Sequence, residues 1–166
     1  ADPVHNFFIG LAYLSGIDVE RNPDRALSLI TASAKGEVPE AMEKLSEMYE
    51  NGDGVKRDYR NAIHWQEQLT EYRRKVWEQS GDWHDGDDYA YELFYLSASY
   101  QESKMIQQAS QSAQALYSLA RDKSWGWDYR YYAAVILGDI AKDDHQFQTA
   151  KHWYDLGLQE ALDAGD

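Results

Sequence analysis

A 36-residue repeat occupies the first third of this chain and constrains its fold more than any other feature of the sequence. Four residues recur at that spacing: Tyr13, Gly16, Val19 and Ala26 return as Tyr49, Gly52, Val55 and Ala62. A fixed period of about 20 to 50 residues is typical of proteins that stack copies of one small unit, each burying the apolar face of its neighbour. Such stacks carry long grooved surfaces, so the repeat indicates a protein that binds other proteins before it indicates an enzyme.

The first copy of the repeat is predicted to form two helices. An amphipathic run covers residues 5–14, and Gly16 follows it. Asn22 and Pro23 then suit the cap and the first position of a second helix, which Gly36 ends. One helical hairpin is therefore expected.

The second copy repeats this plan. Pro39 begins its first helix, the Asn-Gly-Asp-Gly segment 51–54 ends it, and Asp58 begins a partner that continues to about Gln79. We expect positive φ angles at Gly52 and Gly54, because glycine adopts them without a steric penalty.

These motifs resemble the Sel1-like repeat (SLR). In the second copy the matching residues are Leu45, Tyr49, Gly52, Gly54, Val55, Asp58, Ala62 and Trp65. In the first copy they are Ile9, Gly10, Tyr13, Gly16, Val19 and Ala26. The departures are Asp18 for the second loop glycine, Asn22 for the aspartate and Ser46 for a glycine of the second copy. The resemblance implies two SLR hairpins over residues 4–80.

The second half of the chain has shorter spacing. Tyr100 to Ala109 and Ala141 to Ala150 are nine residues apart, where the first two units have thirteen. A loop shorter by four residues resembles the tetratricopeptide (TPR) repeat, so residues 89–163 are predicted as two TPR-like hairpins. A polar segment, 81–88, is predicted as an acidic loop that joins the halves. The fold class implied is all-α, a continuous right-handed superhelical solenoid of about four helical hairpins.

Charge and composition exclude several functions. The net charge is −13, from 29 acidic and 16 basic residues, which opposes binding to nucleic acid. The longest apolar or aromatic run, 131–137, is far shorter than the roughly 20 residues that span a membrane. The absence of cysteine fits both a reducing cytoplasm and an exported chain, with the cytoplasm slightly favoured.

No residue pattern indicates catalysis. The five histidines lack the i, i+4 spacing of a helical zinc site, and the chain has no phosphate-binding Gly-Lys-Ser/Thr motif. Glu43 and Glu47 could form a carboxylate pair of the glycosidase type, but acidic pairs at this spacing are common on solvated helices. We therefore expect no enzymatic activity, no cofactor and no metal site.

Aromatic residues are unusually abundant, with 13 Tyr, 6 Trp and 4 Phe. Many lie on, or just before, the first helices of units three and four, from Tyr89 to Tyr95 and from Trp125 to Tyr132. In the resembled families the first helix of each hairpin lines the concave face, and aromatic residues are common at binding hot spots. The alternative is that these aromatics fill the core. The concave-face residues predicted are Phe7, Leu11, Glu43, Glu47, Glu50, Tyr91, Phe94, Tyr132, Val135 and Asp139.

The leading functional hypothesis is a non-enzymatic scaffold that binds a protein or peptide along the concave face. Basic or aromatic-rich partners are expected, because glutamates occupy the positions where chaperone-binding TPR domains carry donors for acidic tails. The alternative is a structural module that packs against neighbouring domains of a longer protein, or self-associates through apolar ends. A concentration-dependent dimer in light scattering would favour that alternative.

Overall fold

The protein is mostly helical in the part of the chain that the structure describes. The structure, a computed structural model, describes residues 2–123 and 127–163. These ranges contain eight helices and no strand, with 83% of residues helical, which confirms the all-α prediction. The helices are α1 (Pro3–Ser15), α2 (Pro23–Lys35), α3 (Pro39–Asn51), α4 (Tyr59–Ser80), α5 (Trp83–Glu102), α6 (Ile106–Lys123), α7 (Trp127–Asp143) and α8 (Phe147–Asp163).

The helices form four consecutive hairpins, as the sequence predicts. The loops inside the first two hairpins are residues 16–22 and 52–58, seven residues each. The loops inside the last two are residues 103–105 and 144–146, three residues each. The four-residue difference in sequence spacing is thus taken up entirely by these loops.

The caps predicted for the first two hairpins are present. The side chain of Asn22 accepts a hydrogen bond from the amide of Arg25 at 3.0 Å. The carboxylate of Asp58 accepts one from the amide of Arg60 at 3.0 Å. Asp58 also accepts a hydrogen bond from the amide of Asn61 at 3.2 Å. Both side chains therefore satisfy amides that an α-helix leaves unpaired in its first turn.

The loop glycines have the predicted left-handed backbone. Gly52 and Gly54 have φ angles of 77° and 71°. Asp18, which replaces the second loop glycine in the first copy, has a φ of 60°. Aspartate tolerates this region better than most residues, so the substitution preserves the turn.

The prediction of an acidic loop over residues 81–88 is wrong for residues 83–88, because these residues form the first turns of α5. Asp82 caps this helix, since its carboxylate accepts a hydrogen bond from the amide of His84 at 2.8 Å. Ser80 Oγ also donates to Asp85 at 2.5 Å. Aspartates in a first turn are stabilised by the helix dipole, so the segment that reads as a polar loop is a capped helix start. Continuity of the two halves in one solenoid stays a prediction.

Residues 1–72 form one compact unit and residues 73–166 another. In the first unit, the largest fully buried apolar side chains are those of Ile30, Leu45, Met48 and Leu69. The contact between α1 and α2 depends on a residue without a side chain. A Cβ at Gly10 of α1 would lie 2.6 Å from Ile30 Cγ1 of α2, so only glycine fits there.

Ser46 occupies the position equivalent to Gly10 in the second hairpin. Its hydroxyl donates a 3.0 Å hydrogen bond to the carbonyl of Ala62 across the contact between α3 and α4. The serine that departs from the family motif therefore adds a buried polar link between the two helices.

The second unit packs its helices around small residues as well. Ala90, Ala113, Ala133 and Ala134 are all fully buried, together with Leu116. Alanine at these positions lets the helix backbones approach one another closely. The larger aromatic side chains of α5 and α7 lie around these alanine contacts.

Candidate functional site

Aromatic side chains of α5 and α7 form a chain of ring contacts in the second unit. The ring centroids of Tyr91 and Tyr95 are 4.7 Å apart, and those of Phe94 and Tyr95 are 5.4 Å apart. The contacts continue from Phe94 to Tyr132 at 5.1 Å and from Tyr132 to Tyr131 at 5.3 Å. We call this set the aromatic face: Tyr91, Phe94, Tyr95, Tyr131 and Tyr132.

Three members of the aromatic face are strongly exposed. Tyr91, Tyr95 and Tyr132 keep 49%, 46% and 45% of their surface accessible. Phe94 is half-buried and packs against two core clusters of the second unit. The face thus consists of exposed phenol rings around a partly buried phenylalanine, which holds them in place.

The spacing of residues along α5 explains the exposure of its tyrosines. Tyr91 and Tyr95 are four residues apart and therefore lie on one side of the helix. Ala90, Leu93 and Leu96 are buried on another side. Ala90 shares a core cluster with Ala133 of α7, whose neighbour Tyr132 is exposed. The buried alanine contact brings α5 and α7 together, and the flanking tyrosines project into solvent.

Acidic side chains flank the aromatic face. Asp87 lies one turn before Tyr91, and Asp128 lies one turn before Tyr132. The hydroxyl of Tyr129 donates a hydrogen bond to Asp87. Burial, and then the charge and hydrogen bond of Asp87, raise the pKa of Tyr129 far above its usual value, so this phenol stays a neutral donor.

Three of the predicted concave-face residues come together in the second unit. Tyr91, Phe94 and Tyr132 are all members of the aromatic face. Val135 is partly buried one turn further along α7. Asp139 accepts a 2.6 Å hydrogen bond from the hydroxyl of Tyr154 on α8, so its carboxylate is engaged inside its own hairpin.

The predicted residues of the first unit fall into two groups. Phe7 and Leu11 are partly buried against the core of that unit. Glu43, Glu47 and Glu50 are exposed and form an acidic surface on α3. Glu47 also forms an ion pair with Lys44 at 3.1 Å. That one groove joins these residues to the aromatic face stays a prediction.

Two residues of the aromatic face are absent from the predicted set. Tyr95 and Tyr131 belong to the aromatic clusters visible in the sequence but not to the projected groove positions. The i, i+4 spacing of Tyr91 and Tyr95 is the signal that identifies the first of them. Trp125, in the same sequence cluster, lies outside the described residues.

Other kinds of site find little support among residues 2–123 and 127–163. No group of three or more His, Asp or Glu side chains in these ranges is arranged to hold a metal ion. None of the described helices combines the length and apolar character that crossing a membrane requires. The carboxylate pair considered in the sequence is exposed, and Glu47 is bound to Lys44.

Comparison with known proteins agrees with the repeat motifs. The family model of the Sel1 repeat matches residues 6–37 and 39–68. No curated protein matches the chain. Sel1 repeats generally mediate protein–protein interactions and are typically non-catalytic.

Two solved structures are similar to this chain over 95% of its length. One is a Sel1 repeat protein from Oxalobacter formigenes, with 23% identity, a TM-score of 0.39 and 73% of that chain covered. The other is a protective antigen with an SLR fold from uropathogenic Escherichia coli, with 16% identity and a TM-score of 0.38. This chain covers 46% of the antigen, less than half of its length. The chain is therefore similar to the Sel1 repeat family over residues 6–37 and 39–68, which make up less than half of its length.

Proposed function

We propose that this protein is a non-enzymatic interaction module that binds a peptide or partner domain through the aromatic face of its second unit. One observation carries the proposal. Three tyrosines on two adjacent helices, Tyr91, Tyr95 and Tyr132, are exposed and linked through ring contacts with Phe94. A continuous aromatic surface of this kind is typical of a protein-binding site.

Tyrosine suits such a site on energetic grounds. A partner that covers these rings removes apolar surface from water, which stabilises a complex by about 25 cal/mol for each Å². Each phenol has only two side-chain torsions, so little conformational entropy is lost on binding. The ring contacts with Phe94 already restrict Tyr95 and Tyr132 in the free protein, which lowers this entropic cost further.

The proposal extends to the first helices of the other hairpins. α5 and α7 are the first helices of the third and fourth hairpins, and α1 and α3 are the first helices of the other two. We propose that the exposed glutamates of α3 form a binding surface of the first unit, as the aromatic face does in the second unit.

A selection experiment tests the proposal. A phage-displayed library of random 12-residue peptides is selected on the wild-type protein and, in parallel, on a Tyr91→Ser/Tyr132→Ser variant. We expect peptides that bind the wild type and lose at least tenfold in affinity on the variant, as hot-spot truncation does. Tyr59→Ser is the matched control, because Tyr59 is 53% exposed but lies in the first unit. Peptides equally sensitive to Tyr59→Ser, or insensitive to the double substitution, would contradict the proposal.

Self-association is a second candidate function, favoured by one observation on α1. Val4 and Phe8 lie one helical turn apart and keep 51% and 63% of their surface exposed. An apolar ridge of this kind would be covered in a dimer. Multi-angle light scattering tests it: a concentration-dependent dimer that Phe8→Ser abolishes supports self-association, and a monomer at all concentrations excludes it.

A further inference from the structure

We propose that the segment bound by the aromatic face is basic, with arginine or lysine side chains that lie against its tyrosine rings and use Asp87 and Asp128 as counter-charges. This inference rests on the proposed function and specifies the chemistry of the partner. It follows from where the carboxylates lie relative to the exposed rings.

Each of the two helices places a carboxylate one turn before its exposed tyrosine. Asp87, Tyr91 and Tyr95 follow one another at intervals of four residues on α5. Asp128 and Tyr132 have the same spacing on α7. Residues four apart are neighbours on a helix surface, so both helices present an acidic group beside an aromatic ring.

Tyr129 connects the two acidic groups. Its hydroxyl donates to Asp87, and Asp128 and Tyr91 are also near enough to act on it electrostatically. Tyr129 also packs against the core cluster that contains Ala90 of α5 and Ala133 of α7, so the start of α7, which carries Asp128, lies beside the part of α5 that carries Asp87. The group that donates to Asp87 is a phenol, which brings no positive charge to the carboxylate.

The charge of the supporting helix favours a cationic partner. α5 carries five carboxylates and no lysine or arginine. One of them, Asp88, is neutralised by Arg73 of the same unit at 2.9 Å. The whole chain has a net charge of −13. An acidic segment would meet like charge at this face, whereas a basic one is attracted and oriented.

Arginine matches both parts of the surface. The planar guanidinium group stacks on aromatic rings and forms two parallel hydrogen bonds with a carboxylate. The protein uses the same contact internally, because the guanidinium of Arg25 lies 4.4 Å from the ring centroid of Tyr13. A second pair, Arg57 over Tyr59 at 5.8 Å, shows the contact on an exposed ring.

The peptides selected from the random 12-residue library supply the test. We expect the peptides that depend on Tyr91 and Tyr132 to be enriched in arginine and lysine relative to the unselected library. Synthetic fluorescein-labelled copies, measured by fluorescence anisotropy, should bind about tenfold more weakly at 300 mM than at 50 mM NaCl. The Asp87→Asn/Asp128→Asn variant should weaken binding by a similar factor.

Two further variants make the experiment interpretable. Asp128→Asn alone leaves the bond between Tyr129 and Asp87 intact, so it separates loss of charge from loss of that contact. Glu20→Gln/Asp24→Asn removes the same net charge from exposed positions of the first unit and should leave affinity within about twofold, because neither residue belongs to the helices that carry the aromatic face.

The outcomes separate this inference from the proposed function. Neutral or acidic peptides that depend on Tyr91 and Tyr132 would overturn the basic partner and leave the aromatic face as a binding site. Basic peptides whose affinity does not change in the Asp87 and Asp128 variants would overturn the role of these carboxylates. If no selected peptide depends on the two tyrosines, the proposed function fails and this inference fails with it.

Discussion

The main-chain amide of Asp58 donates a 2.8 Å hydrogen bond to the carbonyl of Tyr49, and this bond closes the loop between α3 and α4. Each of the other three hairpins has an equivalent bond of 2.8 Å. The donor and acceptor pairs are Asn22 to Tyr13, Met105 to Tyr100 and Gln146 to Ala141. The partners are nine residues apart in the first two hairpins and five apart in the last two. The long and the short loops are therefore closed by the same main-chain hydrogen bond, between the end of the first helix and the residue before the second helix.

Gly54 is expected to be the more sensitive of the two glycines in the second loop. Gly52→Ala strains a φ of 77° but has ordinary contacts, so it should lower the free energy of unfolding by about 1 kcal/mol. Gly54→Ala causes a similar backbone strain and also places a Cβ only 2.8 Å from Leu14 Cδ1. It should therefore lower the free energy of unfolding by about 2 kcal/mol. Urea unfolding monitored by circular dichroism measures both. Equal losses would show that the packing of Gly54 against Leu14 contributes nothing.

Gly138 is expected to tolerate no side chain. A Cβ at this position would lie 2.5 Å from Cε1 of Tyr154 and would displace the ring that donates to Asp139. Gly138→Ala should destabilise the protein by about 1 to 3 kcal/mol, despite the gain in helix propensity.

Gly157→Ala is the matched control, because it gains the same propensity in the same hairpin with its nearest contact at 3.3 Å. It should be near neutral in thermal unfolding. A Gly138→Ala protein as stable as the wild type would contradict the packing of Tyr154.

Tyr154 is expected to make stability depend on pH in the alkaline range. Burial first, and then the hydrogen bond to Asp139, raise the pKa of Tyr154 to about 12. The folded state thus binds this proton more tightly than the unfolded state, whose pKa is about 10. The stabilisation is complete below about pH 10 and is lost as the pH rises to about 12.

Tyr154→Phe provides the comparison for that pH dependence. Denaturant unfolding at several pH values between about 9 and 12 should show a smaller loss of stability in the variant than in the wild type. Parallel losses in the two proteins would show that Tyr154 does not contribute to the dependence.

Local signals in the sequence predict most of the fold. Asn22, Pro23 and Gly52 act on their own backbone or on the next turn, so their roles can be read without a three-dimensional context. The segment after Gly81 is the exception. Its aspartates and glycine are typical of a loop, but Asp82 caps α5 and Gly86 is buried within that helix. The outcome depends on tertiary packing, which the local pattern does not contain.

The candidate site is predictable only in part for the same reason. Helical spacing places Tyr91 and Phe94 on the first helix of a hairpin, and the structure brings them to Tyr132. The engagement of Asp139 depends on Tyr154, which lies fifteen residues away on another helix. No spacing rule within one helix identifies that contact.

Hydrogen–deuterium exchange with a selected peptide tests the central claim most directly. The peptide is one that binds the wild-type protein and is weakened by Tyr91→Ser/Tyr132→Ser. The account predicts that its binding slows amide exchange in α5 and α7, over residues 83–102 and 127–143, with little change in residues 2–35. Slower exchange confined to the first unit, with α5 and α7 unaffected, would contradict the assignment of the aromatic face as the binding site.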